Sequence, residues 1–301
     1  MVDFQLLIRS VAGTLGMALA SVSIACSSEG DGGQGPPNGG GAPGSCTGSA
    51  LPPVNDYGAR GPYEVTVVND TGPTGLYTMF RPTQLGANGF KHAPATWGNG
   101  IGTTPSVYTE LLSTVASHGF VVIASNSMTV NAQLMTEGLD WLISQNDVAG
   151  EFQGKLAVAC ASTIGYSLGG RGAVNAGSHP NVVTTVSFHG LDGTAESLSG
   201  PLFLLTSTND SFVTKAQFVQ PCYDRSTMVP TVMATLEVAE APSITGHLIP
   251  LNDAREERAP TIAWLRHWVY GDQAARRWFY GNDCTLCSSP WTDIQRKNAA
   301  F

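Results

Sequence analysis

Charge is what this chain has least of. Only 13% of its 301 residues are Asp, Glu, Lys or Arg, about half the roughly 25% usual in globular proteins. Basic residues are the scarcer kind: 15 Lys and Arg stand against 23 Asp and Glu, for a formal net charge of −8. Apart from Arg276-Arg277 they do not cluster. Nucleic-acid binding needs phosphates neutralised by a basic surface, so no nucleic-acid partner is expected. The same balance argues against electrostatic attachment to anionic lipid. Membrane-spanning runs are missing as well. The apolar stretch from Val11 to Ala25 is too short to cross a bilayer comfortably. No internal repeat is visible, which removes solenoids and propellers.

What remains is apolar: 42% of the residues, enough for a sizeable core, with 35 Gly beside them. Low charge with a Gly- and Ser/Thr-rich texture fits an exported protein. Arg9 precedes the apolar run, and Ser23-Ile24-Ala25-Cys26 ends it. Small residues before a Cys resemble the lipobox of bacterial lipoproteins, although Ser23 stands where Leu is preferred and Asp3 offsets Arg9. Residues 1–26 therefore read as a signal peptide. Either Cys26 becomes a lipidated N-terminus, or the segment is an ordinary secretory signal that ends near a Cys. The expected location is an outer-membrane lipoprotein or a secreted protein, with no membrane contact beyond the lipid anchor. Residues 27–45 form a Gly/Pro/Ser tract that cannot bury a core and serves as a linker. Residues 46–301 are then one catalytic domain.

Within that domain the periodicities alternate. Residues 63–69 and 76–81 read as a hairpin about Asp70-Thr71-Gly72-Pro73. Strands are expected at 94–97, 120–124, 161–164, 182–188, 201–206 and 231–238. Helices are expected at 106–117, 134–144, from Leu168 onward, and at 260–270 with Pro260 as its first residue. Phe120 to Ala124 is apolar without alternation, as a strand buried on both faces must be. Strands alternating with helices give an α/β fold with a mostly parallel central sheet covered on both faces.

Gly165-Tyr166-Ser167-Leu168-Gly169 matches the Gly-x-Ser-x-Gly nucleophile turn. Glycines at 165 and 169 leave room for a sharp strand-to-helix reversal. The helix starting at Leu168 points its first N–H groups at the reacting oxygen. At this glycine content both flanks are Gly by chance at roughly one Ser in 75, so context must carry the motif. An apolar strand before it and small residues after it (Gly170-Arg171-Gly172-Ala173) supply that context.

Four segments then carry a resemblance. They are Trp97-Gly98-Asn99-Gly100, the run Ala116-Ser117-His118-Gly119-Phe120-Val121-Val122-Ile123, the nucleophile turn with Gly169-Gly170, and Asn209-Asp210-Ser211. In order and spacing they resemble the cutinase-like polyesterase–lipase branch of the α/β hydrolases, which includes bacterial poly(ethylene terephthalate) hydrolases. The resemblance implies a single-domain serine esterase, and the absence of a long insertion between Ser167 and His247 argues for a lidless, open cleft. The C-terminal Phe279-Tyr280-Gly281-Asn282-Asp283-Cys284-Thr285-Leu286-Cys287 is similar to a tail of bacterial extracellular members.

The fold requires the order Ser, acid, His. Of Asp192, Asp210, Asp224 and Asp253, Asp210 lies just past the carboxyl end of an apolar strand, where such active sites form. It also aligns with the family's acid; Asp192 is the alternative. His247, in Thr245-Gly246-His247-Leu248, stands where the family carries its base. His92 and His118 precede Ser167, His179 reads as a helix cap, and His267 lies within the last helix. The expected set is therefore Ser167, Asp210 and His247, with the backbone N–H groups of Asn99 and Leu168 as oxyanion donors. By analogy Asn99 replaces an aromatic residue found in aromatic-polyester hydrolases. His189 falls near a mobile Trp of those enzymes, and Phe212 near an aliphatic lining residue. His189 and Phe212 are thus candidates to line the substrate cleft, and Trp97 is expected in the core. No metal and no organic cofactor is implied.

Setting Cys26 aside leaves Cys46, Cys160, Cys222, Cys284 and Cys287, an odd number, so at least one is free or pairs between chains. Cys284 and Cys287 suit a structural disulfide of an oxidising compartment, with Cys46 as another possible partner. Cys160 is expected to be simply buried. The function that follows is ester or polyester hydrolysis by a monomer. A carbohydrate or feruloyl esterase and a non-catalytic surface lipoprotein that keeps the fold are the alternatives.

Overall fold

The computed structural model describes residues 51–238 and 244–298. The expectations for the signal segment, Cys26, the linker and Cys46 lie outside the described residues. Among those described, no helix is long and apolar enough to cross a membrane.

The centre is one nine-stranded sheet. Its strands are β1 (Val65–Thr71), β2 (Tyr77–Pro82), β3 (Ala93–Gly98), β4 (Phe120–Ser125), β5 (Ala161–Tyr166), β6 (Val182–Phe188), β7 (Leu202–Ser207), β8 (Thr231–Leu236) and β9 (Trp291–Lys297). They stand in the order β1-β2-β4-β3-β5-β6-β7-β8-β9. The strands from β4 through β8 in that order are parallel. The β1–β2 hairpin and β9 close the two edges antiparallel. The helices are α1 (Thr109–Ser117), α2 (Ala132–Ser144), α3 (Leu168–Ala176), α4 (Gln220–Arg225) and α5 (Arg255–Tyr270).

The apolar run of β4 shows why the sheet is covered twice. Phe120, Val122 and Ala124 join the core layer that holds residues of α1 and α5. Val121 and Ile123 face the other way, toward Leu142 of α2. All six residues of β4 are buried, and a fully buried Val, Ile or Phe contributes about 1.5–3 kcal/mol. From β3 the chain turns to one side to make β4, then returns to the other side to make β5. Between β3 and β5 the chain thus leaves in opposite directions, and a crevice opens at the carboxyl ends of such strands. Gly98 ends β3 there, and Ser167 follows β5.

Three elements differ from the sequence reading. The last helix begins at Arg255, so Pro260 lies inside it. Its first residues are irregular, with positive φ at Ala254 and Arg255, and Glu256 and Glu257 occupy its first turn. Pro260 has no N–H to donate, so one hydrogen bond near the start of the helix is not made. Neither β9 nor α4 was foreseen. β9 has one buried residue, Trp291, and an edge strand need not alternate strongly.

Candidate active site

The turn after β5 is built by close approach. A methyl group on Gly165 would sit 2.1 Å from the carbonyl oxygen of Gly169, and one on Gly169 would sit 2.1 Å from that of Gly98. Only glycine lets the turn, the start of α3 and the end of β3 meet. Ser167 itself has φ 56° and ψ −117°, a conformation that costs a non-glycine residue on the order of 1–3 kcal/mol. The surroundings hold it there. Its N–H donates to Phe188 O at 2.9 Å, and its carbonyl accepts from Leu191 N at 3.2 Å and Arg171 N at 3.3 Å. The result presents Oγ beyond the sheet, at the N-terminus of α3.

The structure brings Ser167, His247 and Asp210 together from three separate loops. His247 Nε2 is 3.2 Å from Ser167 Oγ, and its Nδ1 is 2.8 Å from Asp210 Oδ2. The loop that carries His247 is tied on both sides. Gly246 N donates to Asn209 O at 2.8 Å, and the Tyr166 hydroxyl donates to His247 O at 2.8 Å. Asp210 follows β7, and its Oδ1 accepts from the N–H groups of Phe212 at 3.0 Å and Val213 at 2.8 Å. Burial works against its ionisation, but hydrogen bonds from His189 and His247 outweigh it and hold the carboxyl well below its usual range. Burial also dominates at His247. It pushes the imidazole below its ordinary 6.5 despite the neighbouring Asp210, so the ring is neutral and ready to accept a proton at neutral pH.

Leu168 opens α3, next to Ser167. Asn99 lies against the turn, since a methyl on Gly169 would come within 2.6 Å of its carbonyl oxygen. The Asn99 side chain faces inward. It accepts from Trp97 Nε1 at 2.9 Å and donates to Ser125 O at 2.7 Å and Ser127 O at 3.2 Å. It therefore clamps the loop after β3 to the loop after β4, with Trp97 in the core as expected. Phe212 is half-buried beside the reacting groups, with its ring 5.8 Å from that of His247.

His189 does not line the cleft. It is fully buried, with Nδ1 3.0 Å from Asp210 Oδ2 and Nε2 2.8 Å from Glu257 Oε1. The positive φ of 44° after β6 turns the ring inward onto Asp210. Both nitrogens are occupied, so none is left for substrate. Glu257, on α5, was not singled out in the sequence; a lone Glu in the first turn of a helix carries no signal of a buried role. Asp192, the alternative acid, pairs instead with Arg225. His179 reaches Asp140 on α2 at 2.9 Å, where a cap of α3 was expected.

Donor atoms of His189, Asp210 and His247 lie within 4.8 Å of one another, close enough for a metal ion. Both Nδ1 atoms, however, face one Asp210 oxygen at hydrogen-bond distance. A metal would have to replace both of those bonds, so the donor set fits a proton network better than an ion cage.

Cys284 and Cys287 are disulfide-bonded, and the Arg296 guanidinium on β9 lies 2.8 and 2.6 Å from their sulfurs. Cys160, expected as a buried thiol, is disulfide-bonded too. Its burial is real, but burial alone does not distinguish a thiol from half of a bridge. Cys222 is free, and burial pushes its thiol up to about 11.

No curated protein matches the chain. A family model described as "PETase: PET hydrolase-like" matches residues 57–298, from the segment ahead of the sheet through the whole of β9. The match covers the nucleophile turn and all three loops that meet at it. By that match the chain belongs to the PET hydrolase-like family, a family of ester hydrolases with the α/β-hydrolase fold.

Proposed function

We propose that the chain is an exported serine carboxylic-ester hydrolase that acts through Ser167, His247 and Asp210 and takes short-to-medium-acyl esters or polyesters. One observation carries the reading: the unbroken line from Ser167 Oγ to His247 Nε2 at 3.2 Å and from His247 Nδ1 to Asp210 Oδ2 at 2.8 Å, set on a strained Gly-x-Ser-x-Gly turn. His247 takes the Ser167 proton as Oγ attacks the ester carbonyl carbon. Asp210 fixes the tautomer and stabilises the imidazolium. The oxyanion accepts from the N–H groups of Leu168 and Asn99, each donor contributing about 3–4 kcal/mol to the transition state. The imidazolium returns its proton to the leaving alcohol, and water repeats the sequence on the acyl-enzyme.

The test is turnover of p-nitrophenyl butyrate by the protein and by Ser167→Ala. Undiminished hydrolysis in the variant removes Ser167 from the role. Films of polycaprolactone and amorphous aromatic polyester separate polyester from small-ester specificity. The inward-turned Asn99 side chain, where aromatic-polyester hydrolases carry a ring, favours aliphatic films. Export is supported by the signal-like residues 1–26, and the N-terminal mass of the mature protein distinguishes lipidated Cys26 from a free secreted start.

A further inference from the structure

His189 and Glu257 have no part in the three-residue relay, yet they extend it by two members. Both side chains are fully buried. The line runs from Glu257 Oε1 to His189 Nε2 at 2.8 Å, then from His189 Nδ1 to Asp210 Oδ2 at 3.0 Å. An ionisable pair taken out of water is no stability device, because apolar residues of the same volume usually serve as well or better. Its place in line with the reacting groups calls for another account.

Asp210 supplies one. Two backbone N–H groups already hold its Oδ1. Its Oδ2 is shared by two imidazoles, His247 on one side and His189 on the other. Between His189 Nε2 and Glu257 Oε1 there is one proton. With that proton on nitrogen the pair is imidazolium and carboxylate; with it on oxygen the pair is imidazole and carboxylic acid. In both forms the pair is neutral overall and His189 Nδ1–H donates to Asp210, so the buried network keeps a single negative charge. A second donor on the oxygen that attracts the His247 proton must weaken that attraction.

We propose that His189, oriented by Glu257, is a positioning residue for the hydrolysis: it fixes Asp210 Oδ2 and lowers the proton affinity of His247 through the oxygen they share. This rests on the roles assigned above to Ser167, His247 and Asp210. The groups facing His247 are Asp210 after β7, His189 after β6 and the Tyr166 hydroxyl at the end of β5. Those facing His189 are Asp210 and Glu257, and Glu256 adds a neighbouring charge to Glu257. The directions agree. Burial lowers His247 most, Asp210 pulls the other way, and the positive character of His189 adds a smaller lowering. Burial opposes a charged His189, but Glu257 and the two hydrogen bonds raise it.

Two double variants isolate the donor while removing both ionisable groups. In His189→Asn with Glu257→Gln, the Asn amide reaches the place of Nδ1 and tolerates the positive φ. In His189→Gln with Glu257→Gln, the amide lies one bond farther out and misses Asp210. For p-nitrophenyl butyrate, the Gln/Gln protein should show the acid limb of its kcat/KM profile moved up by roughly half a pH unit or more. Its kcat should fall about tenfold with KM nearly unchanged. The Asn/Gln protein should keep the original midpoint. A midpoint unmoved in Gln/Gln, or moved equally in both, overturns the proposal. Should thermal melts show that the variants do not fold, nitrogen-resolved NMR of the unaltered protein decides. His189 Nδ1 should carry a proton from about pH 5 to 9, throughout the range in which His247 titrates, and a bare Nδ1 overturns the proposal. Full esterase activity in Ser167→Ala would instead defeat the functional reading beneath it, and the NMR result would still stand on its own.

Discussion

The nucleophile turn and the C-terminal tail are held by different physics. Around Ser167, glycines stand where a methyl group would strike main-chain oxygen at 2.1 Å, and the side chains are fixed by short hydrogen bonds inside the protein. In the tail, Gly281 has φ 98° with nothing within 4 Å of the place a methyl would take. There the chain is secured by the Cys284–Cys287 bridge, by Phe279, Leu286 and Trp291 set into the core, and by an edge strand that is mostly half-buried. One region is specified by contact and leaves no freedom; the other is pinned at points and tolerates change between them.

Substitutions should expose that contrast. The largest effect belongs to Ser167→Ala, which should lower kcat/KM by roughly three to six orders of magnitude with an unchanged melting temperature, measured by ester turnover and thermal unfolding. Gly169→Ala should destabilise the fold by about 3 kcal/mol, because a main-chain carbonyl cannot move aside; denaturant titration reads it. The pH profile comes next. His247 titrates below its ordinary 6.5 and acts as a base only when neutral. The acid limb of kcat/KM should therefore have its midpoint below 6.5 and fall about tenfold per pH unit beneath it. In the tail, replacing Cys284 and Cys287 together by Ser should cost about 2 kcal/mol for so short a loop and leave turnover per folded molecule intact. The smallest effect is Gly281→Ala, about 1 kcal/mol from the left-handed φ alone. A loss as large as that at Gly169 would mean the tail is as tightly specified as the turn.

The same contrast governs what could be read from the sequence. The turn was legible because steric demands on Gly165, Ser167 and Gly169 write themselves into adjacent residues. Asp210 and His247 were legible because the fold fixes their order and places them after strands. Phe120 to Ala124 revealed a doubly covered strand through composition alone. His189 was misread because likeness in chain position does not report the sign of φ, and its φ of 44° turns the ring inward. Glu257 was missed because a partner 68 residues away leaves no local trace. The helix start at Arg255 was missed because Pro260 reads as a first residue, and β9 because an edge strand with one buried residue lacks alternation.

The Tyr166 ring serves two loops at once. A methyl on Gly100 would lie 2.7 Å from it, the Tyr108 ring is 6.0 Å away, and its hydroxyl holds His247 O. Variation in the Gly100–Tyr108 segment and in the segment around His247 is therefore epistatic, because both are read by one side chain. Libraries that diversify the two separately and then combine their winners should find the gains non-additive, whereas joint diversification around an intact Tyr166 samples combinations that the fold can accommodate.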